Sequence, residues 1–340
     1  MKNSLRIIFP LFLVIVVGLL WFINSRSQNT PPAPRPQEIA KQKITLVYSL
    51  RVNQLPVAIA FEKGLFDKYN LQVETTQVIT NSVSVLSSGK ADVSLGSPNI
   101  SLTSVVQGSE LSWIGNVNND QGTVLISTKD PANIKTVGVI NGPSKVQTIG
   151  MLNLINVKTD NLIYQNLSDS KTKLTALKEK QVDAIHIAKP DWLIFKEKSG
   201  LTDEYKVLLD SANYKEAQMP VSIIVRNEFL KNNPQIVENF TKALIEADYW
   251  IKNNKEEFIS LLQKRYSDVP PEDIKVEAEL YFANIQNLEF TPSLEKGKEM
   301  LKLVEDANPK AKDYDINNFI NTNVADSLRS SGFLGQFNLN

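Results

Sequence analysis

From Lys43 onward, short apolar runs alternate with stretches whose apolar residues recur every three or four positions. That rhythm predicts βα units around a mainly parallel sheet. Residues 44–50 read as a strand and 55–63 as the helix after it, closed by Gly64. A second strand follows at 71–78, a second helix at 82–88 with Gly89 past its end, and a third strand at 92–96. The rhythm restarts at Thr136 with strands at 136–140, 162–165 and 182–187 and helices at 144–154 and 171–178, which predicts a second βα domain. Two further β-rich runs, 123–127 and 221–225, lie between the blocks and read as the strands connecting them. After Arg226 the pattern is helical. Asn233-Pro234 supplies a cap and first helical position, and Ile236, Val237, Phe240, Leu244, Ala247, Trp250 and Ile251 form one buried face. Helices at 255–265, 271–284, 293–305 and 323–330 are predicted to return over the first block.

The first residues belong to no domain. Lys2 and Arg6 precede an uncharged apolar run, residues 7–23, whose 17 positions suit either a signal peptide or a spanning helix. No Ala-x-Ala follows, which favours an uncleaved anchor with the remainder exported. Residues 24–42, with Pro31, Pro32, Pro34 and Pro36, read as a linker. The expected layout is therefore 1–24 signal or anchor, 25–42 linker, 43–124 plus 222–340 as lobe 1, and 125–221 as lobe 2.

Composition removes function classes. Lys plus Arg and Asp plus Glu both number 37, so no basic excess draws the protein to nucleic acid. The chain has no cysteine and one histidine, His186. That leaves no thiolate metal site, no lipid-bearing cysteine and no evident nucleophile, base and orienter set. No cofactor is expected, and no enzyme.

Several strings resemble one family. Residues 60–73 read Ala-Phe-Glu-Lys-Gly-Leu-Phe-Asp-Lys-Tyr-Asn-Leu-Gln-Val. Residues 86–93 read Leu-Ser-Ser-Gly-Lys-Ala-Asp-Val, and 177–184 read Leu-Lys-Glu-Lys-Gln-Val-Asp-Ala. With Ala188-Lys189-Pro190 and Arg226-Asn227-Glu228-Phe229-Leu230, these look like the nitrate/sulfonate/taurine-type substrate-binding proteins of ABC importers, which include thiamine-pyrimidine precursor binders. The resemblance covers roughly residues 43–330. Lys180 or Gln181 stands where the family has glycine, and the cysteine motif of the fungal pyrimidine synthases is missing, which counts against the enzymatic branch.

The resemblance implies an α/β periplasmic-binding-protein type II (Venus flytrap) fold, with two crossover hinge strands and ligand between two lobes. It also implies a monomer outside the cytoplasmic membrane that delivers a small polar or anionic organic solute to a permease and its ATPase. A membrane-tethered receptor with the same clamp, or a pyrimidine-synthase-like enzyme using pyridoxal phosphate and iron, are the alternatives.

In that fold strand-to-helix turns line the cleft. The first carries Ser49, Arg51 and Asn53, where Arg51 suits an anionic group; the third carries Ser97 and Asn99. Asn118 approaches the hinge. Ser144 and Thr148 open a helix whose free N–H groups suit an acceptor. His186 is either a satisfied strand residue or a ligand contact. Asp191 and Trp192 follow Pro190, where Trp192 either stacks on a planar ligand or packs under the next helix, and Gln218 precedes the second hinge strand.

Overall fold

The computed structural model describes residues 40–48, 55–78, 82–199, 204–286, 288–305 and 308–339. The apolar run 7–23, nearly all of the linker, and Ser49, Arg51 and Asn53 lie outside the described residues. Among the described residues no helix is long and apolar enough to cross a membrane.

The strands are β1 (Gln42–Tyr48), β2 (Leu71–Gln77), β3 (Val93–Gly96), β4 (Leu111–Asn118), β5 (Thr123–Ser127), β6 (Thr136–Val139), β7 (Ile163–Asn166), β8 (Ala184–Ala188), β9 (Lys206–Asp210) and β10 (Val221–Arg226). They form two five-stranded sheets, ordered β2-β1-β3-β10-β4 and β7-β6-β8-β5-β9. In each sheet a parallel trio adjoins an antiparallel strand, β10 in the first and β5 in the second. The runs expected to bridge the lobes are thus wholly built into one sheet each. The bridging is done by residues 119–122 and 211–220.

The helices are α1 (Leu55–Glu62), α2 (Leu65–Lys68), α3 (Ser82–Ser87), α4 (Pro98–Val106), α5 (Pro143–Leu154), α6 (Ser170–Lys178), α7 (Lys189–Ser199), α8 (Asn227–Asn232), α9 (Pro234–Asn253), α10 (Lys255–Arg265), α11 (Pro271–Asn284), α12 (Leu294–Glu305) and α13 (Asn323–Ser330). α9 buries Val237, Phe240, Leu244, Ala247 and Ile251 against α1 and the first sheet, the face its spacing predicts. Both faces of that sheet are covered, with Ile44 and Leu46 in one cluster and Val47 in the other, as expected of a parallel trio. The cap before α9 differs from expectation. Pro234 is the first helical residue, but Asn233 turns its amide back to the carbonyl of Phe229 (3.3 Å).

The twin strings before β3 and β8 do one job twice. The Asp92 carboxylate accepts the Thr45 N–H of β1 (2.9 Å) and pairs with Arg226 (2.9 Å), while Asp183 accepts the N–H groups of Lys135 and Thr136 (both 2.9 Å) at the start of β6. Each aspartate therefore pins the neighbouring parallel strand in register. Burial alone would raise the Asp183 carboxyl, but the Lys135 and Thr136 N–H groups outweigh it and hold it below the usual range. The helix end just before differs between the copies. Gly89 takes φ +75°, and Lys180, at the matching position of the second string, takes φ +58°, a left-handed conformation costing a non-glycine residue roughly 1 kcal/mol.

Behind β4, Asp248 of α9 and Tyr281 of α11 meet in the core. The one Tyr281 hydroxyl hydrogen lies within reach of both the Val117 carbonyl (3.2 Å) and Asp248 Oδ1. Burial pushes the Asp248 carboxyl well above its usual 3.8, only partly countered by Tyr281. A protonated Asp248 donating to Tyr281 frees the tyrosine hydrogen for Val117. A carboxyl raised in the folded state makes stability fall as pH rises between the unfolded and folded pKa values. Asp248→Asn needs no proton there, so it is expected to match the wild type near pH 3.8 and to exceed it by about 1 kcal/mol at neutral pH. Urea unfolding across pH checks this; a gain at acid pH that vanishes at neutral pH contradicts it.

Candidate functional site

The carboxyl ends of both parallel trios point to the place where the chain crosses between sheets. There the two crossings are tied together by one buried carboxylate. Asp120 accepts from the Ser211 hydroxyl (2.5 Å) and the Met219 N–H (3.2 Å), and Ser211 in turn accepts the Thr123 N–H (2.9 Å). The Gln121 N–H donates to the Met219 carbonyl (2.8 Å). Burial raises the Asp120 carboxyl, with Ser211, Met219 and Gly122 donors opposing the shift.

On the second-lobe side, Gly142 at φ 85°, ψ −144° takes the chain from β6 into α5, a backbone region open essentially to glycine alone. Gly142, as the N-cap, has no side chain to cap this helix. One turn in, the buried Thr148 hydroxyl donates to the Ser144 carbonyl (2.8 Å) and lies 3.2 Å from His186 Nδ1. His186 on β8 faces α5, because alternation sends Ile185 and Ile187 to the opposite face. Burial, then the Lys173 ammonium, hold its imidazole at a pKa of about 3, so the ring is neutral. Lys173 reaches in from α6 to donate to the His186 carbonyl and is itself 3% exposed. His186 Nε2 is buried with no hydrogen-bond partner among the described residues.

On the first-lobe side, Ser97 and Asn99 at the start of α4 are both buried. Ser97 donates to Asn99 Oδ1 and makes no cap bond. Asn118 ends β4 fully buried; its Oδ1 accepts the Asp120 N–H (2.7 Å), and its Nδ2 has no partner among the described residues.

The remaining candidates separate. Asp191 sits half-buried in the first turn of α7. Trp192 turns into the second-lobe core, its ring 6.1 Å from Tyr205 and 6.3 Å from Phe195, so its faces are taken by protein. Gln218 lines a crevice of about 100 Å³ with Trp113, Asn116, Pro220 and Glu289, against the start of α12. No cluster of metal-ligating side chains occurs among the described residues.

Lobe-to-lobe contacts flank the crossing. Leu303 of α12 packs on Gly150 of α5, and Asp273 of α11 pairs with Lys198 of α7 (2.5 Å). Sequence reading missed Asp120, Ser211 and Lys173. For Asp120 the only local signal was an acid in a polar run before Gly122; for Lys173 it was a lysine on the helix face that also carries Leu177.

Two α/β sheets joined by a double crossing define the architecture of periplasmic binding proteins, and solved structures show the same fold. A protein from Methylobacillus flagellatus KT provisionally named as a periplasmic sulfonate-binding protein superposes with a TM-score of 0.67 at 15% identity, over 88% of this chain and 97% of that one. The aliphatic sulphonate-binding protein of Escherichia coli gives 0.64 at 15% identity, over 82% and 92%. The nitrate-binding protein of Synechocystis PCC 6803 gives 0.63 at 14%, over 86% and 90%. The model of the NMT1/THI5-like family matches residues 51–258, more than half of the chain; the chain belongs to that family. A curated relative from Brucella abortus (strain 2308), which carries only the provisional name of binding protein, is 27% identical over 214 residues. That match spans 61% of this chain and 66%, just under two thirds, of the relative.

Proposed function

We propose that the protein is the extracytoplasmic solute-binding component of an ABC importer, holding a small polar or anionic organic solute between its lobes and handing it to a permease. The observation that carries this reading is a pair of buried polar atoms beside the crossing with no partner among the described residues, Asn118 Nδ2 on one side and His186 Nε2 on the other. A buried unpaired polar group costs about 1–3 kcal/mol, and a solute that binds there repays both. The uncapped α5 terminus with Ser144 and Thr148, together with Ser97 and Asn99, completes the described part of the proposed site. Ser49, Arg51 and Asn53, outside the described residues, are further contacts proposed from the sequence alone, and Asp191 and Gln218 are its proposed margins. The sulfonate- and nitrate-binding neighbours support a small solute as cargo. Residues 7–23 are the export segment in this reading, and no chemical step is assigned.

Thermal unfolding of the purified protein with nitrate, ethanesulfonate, taurine, pyrimidine or 4-aminopyrimidine tests the proposal. A cognate solute at a hundredfold excess over its Kd adds about 2.7 kcal/mol, which raises Tm by several degrees, and Asn118→Leu is expected to abolish that rise. A melting temperature unmoved by every solute would sink the reading.

A further inference from the structure

His186 has a fixed polarity. The Thr148 hydroxyl owns one hydrogen, and the shorter of its two contacts, 2.8 Å against 3.2 Å, gives that hydrogen to the Ser144 carbonyl. Towards His186 the hydroxyl oxygen can then only accept, so Nδ1 carries the ring hydrogen. The other ring nitrogen, Nε2, is left as a bare lone pair, buried and unpartnered among the described residues. Proton uptake is no escape, because the ring is buried beside the Lys173 ammonium and stays neutral.

A bare lone pair in a buried site repels an oxyanion and attracts a hydrogen-bond donor. We infer that His186 Nε2 is the solute's hydrogen-bond acceptor, and that the protein selects solutes carrying an N–H or O–H group over donor-free oxyanions such as nitrate or an unsubstituted alkanesulfonate. This rests on the interlobe-clamp reading and adds to it the polarity of one contact. An anionic end remains compatible with the uncapped α5 terminus, provided another part of the same solute offers a donor to His186.

The single histidine makes the inference directly readable. In a long-range proton–nitrogen spectrum of the uniformly 15N-labelled protein, one ring is seen. The expected pattern is a protonated Nδ1 and an unprotonated Nε2, unchanged between about pH 5 and pH 8. Two matched probe pairs then test selection: taurine against ethanesulfonate, and 4-aminopyrimidine against pyrimidine. Within a pair that binds, the donor-bearing member is expected to bind about tenfold or more tightly and to move the Nε2 signal. His186→Leu is expected to remove that preference and His186→Gln, which keeps an acceptor oxygen, to restore part of it, with melting curves confirming that both variants fold. A ring with its hydrogen on Nε2 overturns the inference whatever binds. Equal binding of the donor-free member, with the Nε2 signal unmoved, overturns it and leaves the clamp standing. Failure of every probe to bind takes both down.

Discussion

Asp120→Ala is expected to destabilise the protein by about 3 kcal/mol and to loosen both crossings together. Its carboxylate is 3% exposed and receives the Ser211 hydroxyl and the Met219 N–H, while its own carbonyl receives the Asn284 amide (3.0 Å). Alanine keeps the carbonyl bond but strands the buried Ser211 and Met219 donors, each worth about 1–3 kcal/mol when unpaired. The loss is reduced somewhat because a carboxylate that burial has pushed upward no longer has to be held in the core. In a protein of this size such a change lowers Tm by roughly 5 °C. Asp120→Asn keeps one acceptor oxygen and is expected to lose less. Hydrogen exchange separates a hinge effect from a general one: protection is expected to fall first across residues 119–122 and 211–220, because Gln121 and Thr123 depend on the same ties. A wild-type melting curve for Asp120→Ala would show that the carboxylate does not hold the crossing.

The central strands were legible because burial on both faces writes itself as continuous apolar runs, as at Val124 to Ile126 and Ile223 to Val225. The helical return was legible from the spacing of Phe240, Leu244 and Ala247. What escaped had weak local marks. β9 is an edge strand with Lys206 and Val207 exposed, so its burial does not alternate and its apolar run, Val207 to Leu209, is only three residues long. α4 buries Asn99 and Ser101 with its apolar residues, so its sequence reads as a polar turn. The site was legible only as a set of turns. That Asn118 Nδ2 and His186 Nε2 have no partner among the described residues is set by the packing around them, and the importance of Asp120 depends on Ser211 and Met219, about a hundred residues downstream in chain order. Trp192 shows the converse. Its place beside Pro190 suggested a cleft, whereas its three-residue spacing to Phe195 put both rings on the face that α7 buries.

Gly150→Phe is expected to weaken solute binding without touching the site. Gly150 lies on the α5 face that meets α12, and even a β-carbon there would come within 2.6 Å of Leu303 Cδ2. The two helices belong to different lobes and meet because one of them carries no side chain at that point. A phenyl group in the gap makes an overpacked contact worth about 1–3 kcal/mol of strain, and separating the lobes relieves it. Strain that is present only with the lobes together shifts the open–closed balance by its own magnitude, and apparent affinity falls with the closed fraction. The expected loss is about fivefold to a hundredfold for any solute that raises Tm, accompanied by a larger radius of gyration in solution scattering. Leu303→Ala removes the colliding methyl groups. Added to Gly150→Phe, it is expected to recover most of the affinity, a coupling that two independent destabilisations would not produce. Undiminished affinity in the single variant, or no recovery in the double one, would mean that α5 and α12 do not govern closure and that the Lys198–Asp273 pair on α7 and α11 is the contact to examine instead.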